Sequence, residues 1–193
     1  IFEARDLYAQ ITENYSRDRS YPWGLVGLGE TLAAAGEAEL SMEAYDTLVG
    51  NYDSIGIESE PSRAQVLDSL LARASDSLAS GSPEDSPRSA GFGERIYSGQ
   101  EVPSGILAML MDAHTAMAEK LLGSSLDESP SLLQLDPSTR SQVQRHLIAA
   151  ATNARMHAER FIVSNLPMHA RSLWIAADLY DRAGDQREAI IAF

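Results

Sequence analysis

The side chains best able to hold a metal or move a proton near neutral pH are four histidines, His114, His146, His157 and His169. His146 and His157 share one side of a predicted helix with Asn153. They lie eleven residues apart, which is three turns and about 16 Å of rise, too far to hold one ion between them. Imidazoles satisfied by neighbours or facing solvent are the simpler reading, and His114 and His169 stand isolated in their segments. The chain has no cysteine, so disulfides, thiolate metal sites and cysteine nucleophiles are excluded. No glycine-rich loop follows a strand, and no Ser-His-Asp spacing is present. The acidic runs Glu37-Ala38-Glu39 and Asp127-Glu128 lack the ligand spacing of a calcium loop. Met109, Met111 and Met117 fall in an apolar helix and read as core. The sequence therefore predicts no catalytic residue, no metal and no cofactor, and a protein that is not an enzyme.

Recognition chemistry is better represented. There are two tryptophans, Trp23 and Trp174, and Trp and Arg supply much of the binding energy at protein interfaces. The net charge is −13, which speaks against a nucleic-acid partner, because phosphate binding needs clustered Lys and Arg. The charge is uneven: −9 over residues 1–60, −6 over 61–136 and +2 over 137–193. That gradient serves solubility, or allows a basic C-terminal end to meet an acidic neighbour in end-to-end self-association. Hydrophobic residues make 44% and charged residues 22%, a balance that supports a packed core. The longest apolar run, 106–111, is far short of the length a membrane helix needs, so no direct membrane insertion is expected. One lysine among 15 basic residues suits a GC-rich bacterial genome. Neither a periplasmic nor a cytoplasmic location is decided.

The elements that must position these groups are helical. Phe2, Ala4, Leu7, Tyr8, Ile11 and Tyr15 recur at spacings of three and four, one apolar stripe. Residues 22–35 follow with Leu25, Leu28, Leu32 and Ala35, opened by Pro22 and closed by Gly36. Residues 40–51 carry Leu40, Ala44, Tyr45, Leu48 and Val49. Two helices joined by so short a glycine turn must run antiparallel. A polar loop is predicted over 53–60, then a helix from Pro61-Ser62 to about Ala79. Residues 80–104 are rich in Gly, Ser and Pro without a period and read as an irregular loop. A helix over 105–122 and a polar linker over 123–136 come next. One long helix is predicted from Pro137 to Asn165, or two jointed near Asn153. A last pair covers 169–183 and 186–193, joined by Gly184-Asp185. No segment alternates with period two, so no sheet is expected.

Residues 22–53 resemble the tetratricopeptide repeat: Leu25, Leu28-Gly29 and Leu32 hold first-helix positions, Gly36 the turn, and Ser41, Tyr45 and Leu48 second-helix positions. Residues 170–193 resemble it through Leu173, Ala176-Ala177, Tyr180, Gly184-Asp185, Ala189 and Phe193. The opening segment, with Ala4, Tyr8 and Ile11, resembles the second helix of a repeat. The resemblance covers about half the chain. It implies an all-α fold of stacked antiparallel hairpins, an α-solenoid. Three regions are expected: repeats over 1–53, irregular longer helices over 54–168, and a repeat over 169–193. Hairpins that need neighbours on both faces imply a parent chain that is longer at both ends.

The resemblance also implies a concave surface lined by first-helix positions that point away from the hairpin core. Here these are Trp23, Val26, Gly27 and Glu30, then Arg171, Trp174, Ile175 and Asp178. Trp23, Val26, Glu30, Arg171, Trp174 and Asp178 are the expected partner-binding residues; alternatively each tryptophan packs on a neighbouring helix. Some family members grip a peptide carboxylate with Lys and Asn on these positions. Val26, Glu30, Trp174 and Asp178 do not provide that clamp. The expected function is a non-catalytic scaffold for a protein or peptide. One alternative is a structural segment of a larger bacterial assembly, possibly in the envelope. Another is a solute-binding protein using the 80–104 loop through Phe92, Glu94, Arg95, Tyr97 and Glu101.

Overall fold

A computed structural model of the chain describes residues 2–55, 61–128 and 131–193. Helix α1 spans Phe2–Asn14, α2 Tyr21–Ala34, α3 Ala38–Ile55, α4 Arg63–Ala79 and α5 Ser86–Ile96. Helix α6 spans Ser104–Leu122, α7 Pro137–Glu159, α8 Leu166–Arg182 and α9 Gln186–Ala192. Among the described residues there is no strand. The side chain of Phe2, counted in the first stripe, lies outside the described residues. So do residues 56–60 of the expected 53–60 loop, whose first residues belong to α3, and residues 129–130 of the 123–136 linker.

Helix starts follow from local chemistry. Ser62 and Gln65 form a reciprocal capping box at α4, with Gln65 N donating to Ser62 Oγ and Ser62 N to Gln65 Oε1. Asp136 accepts from Ser138 N and Thr139 N at 3.0 Å ahead of Pro137. The predicted long helix ends at Glu159 instead of Asn165. There Arg160 N and Phe161 N bond three residues back, to His157 O and Ala158 O, the tightening that closes a helix. Asn165 then accepts from Met168 N and opens α8 at Leu166, three residues ahead of the expected start.

The largest departure is at 80–104, which is not an irregular loop. Pro83–Asp85 form a 3-10 turn and Ser86–Ile96 form α5, buried through Ala90, Phe92 and Ile96. This makes a second hairpin, α4–α5, with the same turn as α2–α3. Gly36 and Gly81 both sit at positive φ, 80° and 74°. In each turn the glycine N–H bonds three residues back and the next N–H five residues back: Glu37 N to Leu32 O, Ser82 N to Ser77 O. That double bond pattern is the Schellman cap, where only glycine takes the left-handed backbone without strain. Gly184 repeats it, with φ 82° and Asp185 N donating to Tyr180 O.

Counting from these three glycines puts the hairpins in register. Seven residues before and five after stand Gly29 and Ser41, Ala74 and Ser86, Ala177 and Ala189. All six are buried, and in the first two hairpins a serine ties the helices together. Ser41 Oγ donates to Gly29 O at 2.7 Å and Ser86 Oγ to Ala74 O at 2.9 Å. Small residues at both positions let the backbones approach closely. A Cβ on Gly29 would come within 2.8 Å of the Tyr45 ring. Gly29→Ala is therefore expected to lose stability by about 1 kcal/mol: overpacking costs ~2 kcal/mol, and helix propensity returns ~1 kcal/mol. Urea unfolding would show it as a lower midpoint at unchanged slope.

Side by side, α2 packs on α4, α3 on α5 and α4 on α6. Leu25, Val26, Met42, Tyr45 and Leu48 meet Val66, Leu70, Phe92 and Ile96 in one cluster. Leu67 and Ala90 meet Ile106 and Leu110 in the next. Helix α7 lies between α6 and α8, presenting Ala150, Ala151, Ala154 and Ala158, all buried. The 123–136 linker is fastened by Arg140, which donates to the carbonyls of Leu132, Leu133 and Leu135. Among the described residues no helix is long and apolar enough to cross a membrane.

Candidate functional site

Two hollows contain positions expected to bind a partner. The first, about 530 Å³, lies where α2, the start of α3, and α4 meet. Ala33, Ala34, Ala38 and Ala72 leave it open, and Glu30, Arg73, Asp76 and Asp85 supply its charge. Glu30, Arg73 and Asp85 are held in place. Ser69 Oγ donates to Glu30 Oε1 at 2.8 Å and lies 2.9 Å from Tyr45 Oη. Because the serine proton is committed to the carboxylate, the tyrosine must donate to the serine. Burial, the largest cause, and the Glu30 charge push the Tyr45 hydroxyl up to about 12, so it stays a donor at every physiological pH. Arg73 Nη2 donates to Asp85 Oδ2 at 3.1 Å, while its buried Nε has no partner. Three carboxylates against one guanidinium make the hollow acidic, suited to a cationic side chain or amine.

The second hollow, about 440 Å³, lies on α8 and α9 and is lined by Trp174, Ala177, Asp178, Asp181, Gln186, Ala189, Ile190 and Phe193. Trp174 is 60% exposed, Ile190 75% and Phe193 84%. Asp178 accepts from Arg182 Nε at 2.8 Å, and Arg182 also reaches Asp127 Oδ1 and Leu126 O.

The six expected partner-binding residues are spread over α2 and α8. Glu30 lines the first hollow, and Trp174 and Asp178 line the second. Trp23, in the first turn of α2, and Arg171, on α8, are both exposed; neither lines these two hollows. Val26 is a correction. It is 5% exposed, packed with Met42, Tyr45, Val66 and Leu70, because α4 and α5 cover that side of the first hairpin. Gly27 is likewise buried, against the ring of Tyr8. The solute site expected in 80–104 loses Phe92 to the core at 4% exposure, Arg95 to Asp46 at 2.6 Å, and Glu101 to Arg160. The hollow beside Glu94, Arg95 and Tyr97 is a surface depression of about 450 Å³.

The histidines are not isolated. His114 Nδ1 and His146 Nδ1 are 3.0 Å apart across α6 and α7, with ring centroids 5.2 Å apart and planes tilted by 42°. Such an N–H···N bond needs at least one neutral imidazole. Burial first, then the neighbouring His146, push His114 down to about 4. Burial, then Arg145, lower His146. His157 pairs with Ser172 Oγ at 2.9 Å and His169 Nδ1 donates to Ala158 O at 2.9 Å. Among the described residues no three His, Asp or Glu side chains converge to hold an ion. Sequence spacing could not find the His114–His146 pair, since it depends on how the linker sets α7 against α6.

No protein-family model, no curated protein and no solved structure matches the chain.

Proposed function

We propose that the chain is a non-catalytic scaffold of the tetratricopeptide type, its hairpins stacked as a solenoid, that holds a protein or peptide segment against the first helices of successive hairpins. The observation that carries this reading is the hollow between α2 and α4. Alanines there leave room for a guest side chain, while Glu30, held by Ser69 with Tyr45 behind it, supplies fixed negative charge and Asp76 adds to it. The repeated turns at Gly36, Gly81 and Gly184 and the side-by-side contacts of α2 with α4 and α3 with α5 support the solenoid. A pre-ordered acidic hollow selects a segment with Lys, Arg or a free amine, since its charges need no rearrangement on binding.

Selection from a random peptide library against the protein tests this. Enriched peptides are expected to share a basic residue, and Ala72→Arg, at an exposed position of α4, is expected to weaken them at least tenfold, about 1.4 kcal/mol, with helix content unchanged. Peptides that bind Ala72→Arg as well as the parent protein would place recognition elsewhere.

A further inference from the structure

We propose that His114 and His146 together bind one zinc-like divalent cation in tetrahedral geometry, through their Nδ1 atoms, and that the ion fastens α6 to α7. The site is independent of peptide binding at the α2–α4 hollow. The two imidazoles face each other nitrogen to nitrogen at 3.0 Å, with ring centres 5.2 Å apart. In that state the N–H of one ring holds the pair together. An ion in place of the proton needs both lone pairs aimed at one point. With metal–nitrogen bonds of about 2.05 Å at the tetrahedral angle, two imidazoles place their ring centres about 5.2 Å apart. The helices already set that separation. Cis ligands of a square-planar ion need about 4.5 Å, so α6 and α7 would have to close up to accept one. For the tetrahedral ion each ring only swings about its Cβ–Cγ bond, a soft torsion in histidine. The swing opens the two nitrogens to about 3.3 Å.

The surroundings meet the other needs of such a site. Burial lowers the proton affinity of both rings, so both are neutral at pH 7 and no proton competes with the metal. The ring that carries its proton on Nδ1 moves it to Nε2, and none is released. Both rings are half-buried, which leaves the ion within reach of water. Water takes the two coordination positions that, among the described residues, no third His, Asp or Glu fills. Arg145, beside His146, is exposed, and solvent screens its charge. The two histidines stand 32 residues apart in the chain. The unfolded chain therefore does not hold both at one ion, and the ion stabilises the fold that packs α6 on α7.

Zinc sulfate added to the chelator-treated full chain tests this. One ion per chain is expected to bind and to raise the thermal midpoint. His114→Gln and His146→Gln are each expected to weaken binding roughly tenfold or more, each variant being compared with its own metal-free state. His157→Gln and His169→Gln, at rings engaged with Ser172 and Ala158, are expected to leave it unchanged. Nitrogen-15 shifts of the imidazoles need no substitution: Nδ1 of both His114 and His146 should move with zinc, and both Nε2 should carry a proton. Cobalt(II) in place of zinc is expected to give the intense visible absorption of a tetrahedral ion. Zinc affinity that survives both His114→Gln and His146→Gln overturns the proposal, as do shifts confined to Nε2 or to His157 and His169. Uptake of several ions without saturation, or a weak octahedral cobalt spectrum, overturns it in favour of adventitious surface binding.

Discussion

Tyr45→Ala is expected to lower the free energy of unfolding by about 4 kcal/mol, within the range for removing a large aromatic ring from a core. Tyr45 has no exposed surface, lies in the cluster that joins the first two hairpins, and rests against the backbone of Gly29. Truncation leaves a void between α2, α3 and α4 that the Schellman-capped hairpins cannot close by sliding, because Ser41 and Ser86 tie each pair of helices through a buried hydrogen bond. Tyr45→Phe keeps the ring and removes only the donor to Ser69, so about 1 kcal/mol is expected. Chemical denaturation of the two variants separates packing from hydrogen bonding. Equal losses would mean that the hydroxyl relay to Glu30, and not ring packing, holds the junction.

The second large effect is one of pH. His114 titrates at about 4 in the folded protein, below its ordinary 6.5. The unfolded chain therefore binds the proton more tightly, and unfolding takes up a proton between those values. The stabilisation is complete above pH 6.5 and is lost as pH falls towards 4. A shift of this size corresponds to about 3 kcal/mol at most; because the half-buried ring is partly solvated, about 2 kcal/mol is expected. Burial first, then Arg145, shift His146 in the same direction, and protonating both rings sets two cations against one another. Urea midpoints measured from pH 7 to pH 4 should fall more steeply for the parent protein than for His114→Gln. Parallel profiles would mean that the pair carries none of the acid sensitivity.

Helix periodicity and the turn glycines Gly36 and Gly184 were legible because both signals are local: stripes at spacings of three and four, and a left-handed cap that only glycine fills without strain. Helix α5 was not. It contains Gly91 and Gly93 and follows a Ser-Pro-rich stretch, poor helix-forming material by propensity. It is helical because Ala90, Phe92 and Ile96 find partners on α3, α4 and α6. The register of Gly81 with Gly36 was hidden for the same reason, although the small residues seven before and the serines five after each glycine repeat with it. Of the expected binding positions, Glu30 and Trp174 kept their exposure and Val26 did not. The same repeat position is open in the last hairpin and covered in the first, which a single helix's sequence does not encode.

The proposed function puts a protein segment on the α2–α4 surface. Amide chemical-shift mapping of the 15N-labelled protein with the tightest library-selected peptide tests it most directly. Shifts are expected to concentrate at Glu30, Ala33, Ala34, Ala72 and Arg73, which line the hollow. Shifts confined to α6–α9, or none at saturating peptide, would contradict it.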